Sequence, residues 1–183
     1  MRFETSRLIL RSWQEADRDA FAALHADPEV MWDMGGPFSR EKSDAKFDRY
    51  SDAFARCGYC RWAIEDSQGL LLGYAGLMPS RAGHPLGPHS DIGWRLARAA
   101  WGKGYVTEAA RAALDDAFTR VRLKEVLAYT SPDNLRSQAV MTRLGLERAQ
   151  SLDYSEGEGD AVWRGLVWIA RPDITERGGT IRR

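Results

Sequence analysis

The chain has 183 residues, of which 44% are hydrophobic and 28% charged, and its 26 basic residues balance its 26 acidic ones. A chain of this kind folds as one compact domain that buries roughly 70% of its unfolded surface. The charge balance argues against nucleic acid or anionic lipid as a partner. No apolar run approaches the ~20 residues of a membrane helix and the start, MRFETSRLIL, lacks a secretory signal, so we expect a cytoplasmic protein.

Hydrophobic patterns predict the elements of the first half of the chain. RLILRSW, residues 7–13, predicts a strand, and the following EADRDAFAALHAD predicts a helix. A second amphipathic helix begins at Ser39 and ends near Gly58. YCRWAIED and LLLGYAGLMPS predict a hairpin that turns near Gly69, and RAGHPLGPHS predicts a loop.

The second half begins with DIGWRL, residues 91–96, where apolar and polar residues alternate as in a strand. Across residues 104–120 apolar positions recur every three or four residues, which predicts a helix with one buried face. KEVLAYTS predicts a strand, NLRSQAVMTRLG a helix that ends at Gly145, and LERAQSLDY and AVWRGLVWIA the last two strands. The tail, residues 171–183, is almost free of apolar residues, so we expect it to be flexible and the domain to span residues 1–170.

The order βααβββαβαββ predicts an α/β (α+β) fold with a mostly antiparallel, seven-stranded sheet and four helices. Cys57 and Cys60, the only cysteines, have the spacing of a redox pair or of half a zinc site. The three histidines offer no paired spacing for the other zinc ligands, and the order helix, glycine, strand differs from that of a redox turn. We therefore expect two reduced thiols and no metal.

A pair of glycines precedes the longest periodic helix, in RAAWGKGYVTEAARAAL. The first amides of a helix lack partners within it, and the helix dipole adds about half a positive charge there. Gly102 and Gly104 lack the Cβ that would obstruct a phosphate or forbid a positive φ. The stretch therefore predicts a cradle for a phosphate or diphosphate, although a tight connection alone would also explain it. The other residues of this cradle would be Lys103, Tyr105, Val106 and Thr107.

Two other phosphate-binding motifs fit this stretch less well. A P-loop requires G-x-x-x-x-G-K-[ST], and no such spacing occurs here. A dinucleotide fingerprint requires a third glycine near Thr107 and an acidic residue about 20 positions later at the end of a parallel strand. Glu125 precedes its predicted strand instead.

The segments DIGWRLARAAWGKGYVTEAARAALDDAF and SPDNLRSQAVMTRLGLER, preceded by TSRLILRSW, resemble the GNAT superfamily of acetyl-CoA-dependent N-acetyltransferases. Within it, the chain is most similar to the branch of ribosomal-protein N-terminal acetyltransferases. The resemblance covers about residues 5–170. It implies a single domain whose sheet is splayed between its fourth and fifth strands, with acetyl-CoA or coenzyme A in the cleft.

The resemblance also implies roles for individual residues. It places the pyrophosphate loop at residues 99–104, where Ala99 replaces the usual polar first residue. Asn134 corresponds to the residue that reaches the pantetheine arm, and Ser137 to one near the coenzyme sulfur. The main-chain groups of Trp94 and Leu96 correspond to those that pair with pantetheine like an added strand.

In this family a primary amine attacks the thioester directly, so the site needs a base for the amine and a proton for the leaving thiolate. Asp91 is the candidate base and Ser137 the candidate acid, although a solvated carboxylate and a helix-capping neighbour are the structural alternatives. His89 is a second candidate base. The helix dipole alone explains Glu108 in a first helical turn.

The resemblance favours the N-terminal α-amine of a protein or peptide as acceptor, with a small-molecule amine as the alternative. A non-catalytic coenzyme-binding module and an unrelated nucleotide-binding enzyme are rival interpretations. Residues 31–38, 81–89 and 151–160 are expected to shape the acceptor site, and the sequence leaves monomer and homodimer open. Three tryptophans could line that site or belong to the core: Trp32, Trp62 and Trp94.

Overall fold

Nine strands and four α-helices make up the part of the chain that a computed structural model describes, residues 1–157 and 162–172. The strands are β1 (Arg2–Glu4), β2 (Leu8–Arg11), β3 (Arg61–Asp66), β4 (Leu71–Pro79), β5 (Ser90–Leu96), β6 (Val126–Thr130), β7 (Glu147–Arg148), β8 (Tyr154–Glu156) and β9 (Trp163–Ala170). The helices are α1 (Arg18–Ala26), α2 (Arg40–Cys57), α3 (Tyr105–Thr119) and α4 (Leu135–Arg143). Most of the predicted tail, residues 173–183, lies outside the described residues.

The strands follow the order β1-β2-β3-β4-β5-β6-β9-β7, and β8 pairs with β9. Every pair is antiparallel except β5 with β6, which confirms the predicted mixed, mostly antiparallel fold. Two more strands are present than the seven predicted. The short β1 was missed, and the strand predicted over residues 146–154 is two short strands separated by a 3-10 turn at Gln150–Leu152. No helix within the described ranges is long and apolar enough to cross a membrane.

The sheet splits between β5 and β6. Seven residue pairs join β4 to β5, whereas the described part of β5 shares one registered pair with β6, Asp91 with Leu127. The two strands therefore diverge beyond Asp91 and leave one edge of β5 without a strand partner. This is the splay between the fourth and fifth predicted strands that the family resemblance implied.

Local capping groups set the helix ends that flank this split. The Ser39 hydroxyl accepts a hydrogen bond from the Lys42 amide at 3.2 Å and starts α2, which ends at Gly58 in the left-handed conformation. After α4, Gly145 has a φ of +79° and donates to the Thr142 carbonyl, while Leu146 donates to Met141. These two bonds form a Schellman motif, so both predicted glycine stops are confirmed.

The two faces of the sheet are covered by different kinds of side chain. α3 packs on β4 and β5 through alanines, of which Ala109, Ala110, Ala113 and Ala117 are fully buried. Small side chains bring a helix close to a sheet, and this packing fixes the N-terminus of α3 beside the split. On the other face, Tyr74 of β4 stacks on Phe21 of α1 and packs edge-on against Tyr50 of α2.

Candidate active site

The glycine pair has the conformation that the sequence predicts. Gly102 and Gly104 have φ values of +73° and +77°, and a Cβ at Gly102 would meet no atom within 4 Å. Glycine is therefore required there for its backbone conformation. The Glu108 amide makes the first helical hydrogen bond, to the Gly104 carbonyl at 3.1 Å. In the described part of the chain, the three amides before it, residues 105–107, have no acceptor.

Hydrogen bonds from residues 5–7 of the N-terminal segment hold the glycine loop in place. One Glu108 carboxylate oxygen accepts hydrogen bonds from Thr5, Ser6 and the Arg7 amide, at 2.6, 2.9 and 2.9 Å. The Arg7 guanidinium binds the other oxygen and donates to the Lys103 carbonyl at 2.9 Å. Burial alone would raise the pKa of Glu108, but these hydrogen bonds outweigh it and lower the pKa. Glu108 thus has a structural role beyond the helix dipole, which the sequence did not predict.

A cavity of about 830 Å³ lies in front of the free amides. It extends along the edge of β5 and between α3 and α4. Nine of the ten residues predicted to bind a coenzyme line it: Trp94, Leu96, Gly102, Gly104, Tyr105, Val106, Thr107, Asn134 and Ser137. Lys103 does not line it. Arg136 and Arg143 add positive charge to its α4 side, and the sequence analysis missed both.

The exposed edge of β5 faces this cavity with backbone groups. The Ala97 amide donates to Leu72 of β4 at 2.9 Å, and backbone groups alternate sides along an antiparallel strand. The N–H and C=O groups of Trp94 and Leu96 therefore point away from β4, into the split. The Trp101 indole N–H donates to the Leu96 carbonyl at 2.8 Å. The Trp94 groups and the Leu96 amide remain available to a ligand.

Asn134 belongs to a buried polar chain that crosses the mouth of the split. Its side-chain oxygen caps α4 by accepting from the Ser137 amide at 3.1 Å, and its nitrogen donates to Asp33 at 3.0 Å. Asp33 also accepts from the Arg95 guanidinium at 2.9 Å. Asp33 and Arg95 were not predicted as site residues.

A second cavity, of about 620 Å³, opens on the other side of this chain. The two cavities share four lining residues: Asp33, Trp94, Arg95 and Ser137. The Ser137 hydroxyl has no hydrogen-bond partner among residues 1–157 and 162–172. Ser137 therefore offers a free hydroxyl where the two cavities adjoin.

Asp91 lines the second cavity but is not a free carboxylate. It forms a buried ion pair with Arg61, and the same guanidinium also donates to the Asp91 and Gly76 carbonyls. Burial alone would lower the pKa of Arg61, but the charge and hydrogen bond of Asp91, together with nearby tyrosines, outweigh burial and raise the pKa. The pair leaves room for no side chain at Gly93, where a Cβ would lie 2.8 Å from the guanidinium. The alternative of a solvated Asp91 at the strand edge is therefore wrong.

Aromatic and histidine rings form the far wall of the second cavity. Tyr129 and Tyr154 line it, and burial together with the charge of Asp91 raises the pKa of both phenols. The His84 ring is 3.2 Å from the Tyr154 hydroxyl, and burial lowers its pKa. His89 packs behind His84 without lining either cavity, and its Nδ1 lies 2.9 Å from the Gly87 carbonyl.

The tryptophans and cysteines divide between site and core. Trp62 is fully buried between aromatic neighbours, so it is a core residue. Trp32 lines the first cavity only, and Trp94 lines both. Cys57 and Cys60 are free thiols, and burial raises the pKa of Cys60 to about 12. Over the described ranges, no cluster of three His, Cys, Asp or Glu residues is arranged to hold a metal ion.

The second cavity also contains a helix face that the sequence analysis missed. Lys46, Arg49 and Tyr50 of α2 line it, with spacings of three and four residues. The amphipathic pattern predicted this helix but gave these three side chains no role in a site. The three predicted segments do contribute lining residues, including Met34, Arg81 and Glu156, although 158–161 lies outside the described residues.

Comparisons with known proteins agree with this geometry. Residues 7–147 match the model of the acetyltransferase (GNAT) domain family. An uncharacterized N-acetyltransferase of Bacillus subtilis is 26% identical over 164 residues, which cover 89% of this chain and 92% of that protein. An acetyltransferase structure from Agrobacterium tumefaciens is 28% identical, with a TM-score of 0.79 over 93% of this chain and 94% of the other. A ribosomal L7/L12 α-N-protein acetyltransferase in complex with coenzyme A is 17% identical, with a TM-score of 0.74 over 95% and 99% of the two chains.

Proposed function

Because this chain belongs to the acetyltransferase (GNAT) domain family, we propose that it transfers acetyl from acetyl-CoA to the α-amine of a protein or peptide N-terminus. Acetyl-CoA-dependent N-acetylation is the activity of the family. The N-terminal acceptor and a cytoplasmic setting are our proposals. One observation supports acetyl transfer between two substrates: two cavities meet at Ser137, and one begins at the free amides of α3.

The first cavity has the chemistry that coenzyme A requires. Its diphosphate needs donors and positive charge, which the amides of residues 105–107 and the guanidinium of Arg136 supply. Its pantetheine arm carries amides, which pair with the open edge of β5 as an added strand would. Asn134 lies further along the same path, toward Ser137. In this arrangement the thioester lies where the two cavities join.

The acceptor is favoured by the free energy of deprotonation. An α-amine with a pKa of roughly 7.7 to 8.0 costs about 1 kcal/mol to deprotonate at pH 7, whereas a lysine amine costs about 4.6 kcal/mol. The Asp91 carboxylate is already paired with the Arg61 guanidinium. Such a site suits an acceptor amine whose deprotonation costs little free energy. A protein acceptor also agrees with one structure of the same fold, the ribosomal L7/L12 α-N-protein acetyltransferase in complex with coenzyme A.

We propose Asp91 as the base and Ser137 as the acid. Asp91 lies on β5 and lines the second cavity, which we call the acceptor cavity. From there it can accept the amine proton directly or through water. The unpartnered Ser137 hydroxyl lies at the junction and can donate to the leaving thiolate. His89 is the less suitable base because it lines neither cavity.

The proposal is tested by coenzyme A binding and by turnover. Calorimetry should show one coenzyme A bound per chain, and free-thiol release should report acetylation of short peptides with unblocked N-termini. Peptides with a blocked N-terminus and a free lysine are the matched control and should react more slowly. No coenzyme binding at millimolar concentration would refute the proposal, binding without turnover on any amine would indicate a non-catalytic module, and turnover of small amines alone would replace the acceptor.

A further inference from the structure

Within the described ranges, the acceptor cavity has more positive charge than its carboxylates neutralise. Among these residues, five basic and three acidic side chains line it: Lys46, Arg49, Arg61, Arg81, Arg95, Asp33, Asp91 and Glu156. Each carboxylate is already paired with one of these cations, Asp33 with Arg95, Asp91 with Arg61 and Glu156 with Arg81. The two remaining cations, on α2, have no carboxylate partner in the described part of the chain.

The unpaired cations flank a single tyrosine. Lys46 Nζ and the Arg49 guanidinium each lie 5.6 Å from the centre of the Tyr50 ring. Spacings of three and four residues place all three side chains on one face of α2. The Tyr50 ring is buried against Phe21 and Tyr74, and its hydroxyl makes no hydrogen bond within the described ranges.

The environment of Lys46 makes this face of α2 unfavourable in free energy unless an anion binds there. Lys46 is half-buried, and the partial removal of an ammonium from water costs free energy unless an anion compensates it. Burial would raise the pKa of Tyr50, but the charges of Lys46, Arg61 and Arg49 outweigh it and lower the pKa to about 8. The tyrosine thus responds to the excess of positive charge. All three groups are hydrogen-bond donors that suit one carboxylate.

We propose that the acceptor amine carries a carboxylate, which binds to Lys46, Arg49 and Tyr50 while the amine points toward Ser137. This inference rests on the proposed acetyl transfer and adds the class of its acceptor. The carboxylate can be the α-carboxylate of a free amino acid or the acidic side chain of a peptide's second residue. A polyamine acceptor would place further positive charge against the same cations.

The test uses two pairs of acceptors that differ by one carboxylate, and kcat/KM is compared per unprotonated amine because a free α-carboxylate raises the pKa of the adjacent amine. Serine and serinamide examine a free α-carboxylate, and amidated Ser-Glu and Ser-Gln peptides of equal length examine an acidic side chain. We expect the acidic member of one pair to have a kcat/KM at least 10-fold higher, and the pair identifies the source. Equal values in both pairs, or a preference for spermidine, would overturn the inference while leaving acetyl transfer intact.

Variants of α2 assign the preference to these residues. The double substitution Lys46→Met and Arg49→Met should remove the preference through KM, so that the acidic and neutral members of the pair react with similar kcat/KM. Lys42→Met with Arg56→Met is the matched control, since it removes the same charge from α2 outside both cavities. A preference that survives the first pair of substitutions, or falls equally in the control, would contradict our assignment.

A binding measurement makes the test independent of turnover. The N-acetyl products of serine and serinamide are titrated into the protein–coenzyme A complex by calorimetry, together with those of the two peptides. We expect at least 10-fold tighter binding of the acidic product of one pair, and a loss of that difference in the Lys46 and Arg49 variant. Equal affinities within both pairs would refute the anionic acceptor, whereas failure to bind coenzyme A would refute the proposed function itself.

Discussion

The first cavity, called here the coenzyme cavity, and the acceptor cavity are built from different parts of the chain. Most binding groups of the first are backbone groups within residues 94–107: the edge of β5, two glycines with positive φ and the first amides of α3. The second is lined by residues from α2, α4, six strands and the loops between them, and most of its charges pair with one another. A backbone site depends on local conformation, whereas a side-chain site depends on the whole tertiary fold.

The acceptor cavity should therefore be the more sensitive to loss of a single charge. Asp91→Asn leaves the buried Arg61 without a counter-charge, and the free energy of unfolding should fall by about 3–5 kcal/mol in urea denaturation. The control replaces both partners, Arg61→Met with Asp91→Leu, and should recover most of this loss. A single variant within 1 kcal/mol of the wild type would show that the pair contributes little.

The same Asp91→Asn variant tests the proposed base. If Asp91 accepts the amine proton, the transfer rate per folded molecule should fall most at acidic pH, where the amine is most fully protonated. The measurement is kcat/KM against pH for both proteins. A pH profile identical in shape to that of the wild type would remove Asp91 from the proton transfer.

The coenzyme cavity should instead be sensitive to backbone conformation. Gly104→Val forces a β-branched residue to a φ of +77°, which costs about 1–3 kcal/mol and displaces the amides that follow. We expect coenzyme A affinity to fall at least 100-fold by calorimetry. Gly69→Val, at a φ of +81° in the β3–β4 hairpin, is strained in the same way and should leave affinity unchanged. Equal losses in both variants would indicate general destabilisation.

Ser137 lies where the two cavities meet, and its hydroxyl can be removed without its backbone cap. Ser137→Ala keeps the amide that donates to Asn134, so coenzyme affinity should hold while kcat falls about 10-fold. Thr142→Ala, also on α4, controls for the loss of a helical hydroxyl. A kcat unchanged by Ser137→Ala would mean that water alone protonates the thiolate.

A smaller effect is expected beneath the acceptor cavity, where His25 supports Tyr74 through a contact of 3.2 Å. Burial, assisted by the charge of Lys46, lowers the pKa of His25 to about 3. The unfolded chain takes up a proton near pH 6.5 and the folded chain does not, so stability falls as the pH drops below 6.5. Between pH 7 and 5.5 the wild type should lose about 1 kcal/mol relative to His25→Gln. Parallel losses in urea denaturation would contradict this assignment.

Sequence reasoning was most successful where a few neighbouring residues decide the structure. Gly102 and Gly104 precede a strongly periodic helix, and Gly145 ends another, so their conformations followed from local rules. Nine of the ten predicted coenzyme residues line one cavity, and four of these nine, Trp94, Leu96, Asn134 and Ser137, were implied by the resemblance to the family. Lys103 was the exception, since its side chain does not line the cavity. Arg7, which lies 96 positions earlier in the chain, binds the Lys103 carbonyl and not its side chain.

The acceptor site could not be predicted to the same extent. Arg61 lies in an apolar strand, and a charge in such a run was the available signal for a buried ion pair. Its partner Asp91 is 30 positions away, and only the sheet register brings the two together. In the sequence, Lys46 and Arg49 have the pattern of ordinary solvent-exposed cations on the polar face of α2. Their lack of carboxylate partners is a property of the folded chain.

The meeting of the two cavities at Ser137 has a consequence for the order of events. In the proposed reaction the amine attacks the thioester directly while Ser137 gives a proton to the thiolate, so no acyl group is held on the protein between substrates. Donor and acceptor must then occupy the protein together. Initial-velocity lines should intersect rather than run parallel, and a product that fills one cavity should slow catalysis without preventing the other substrate from binding.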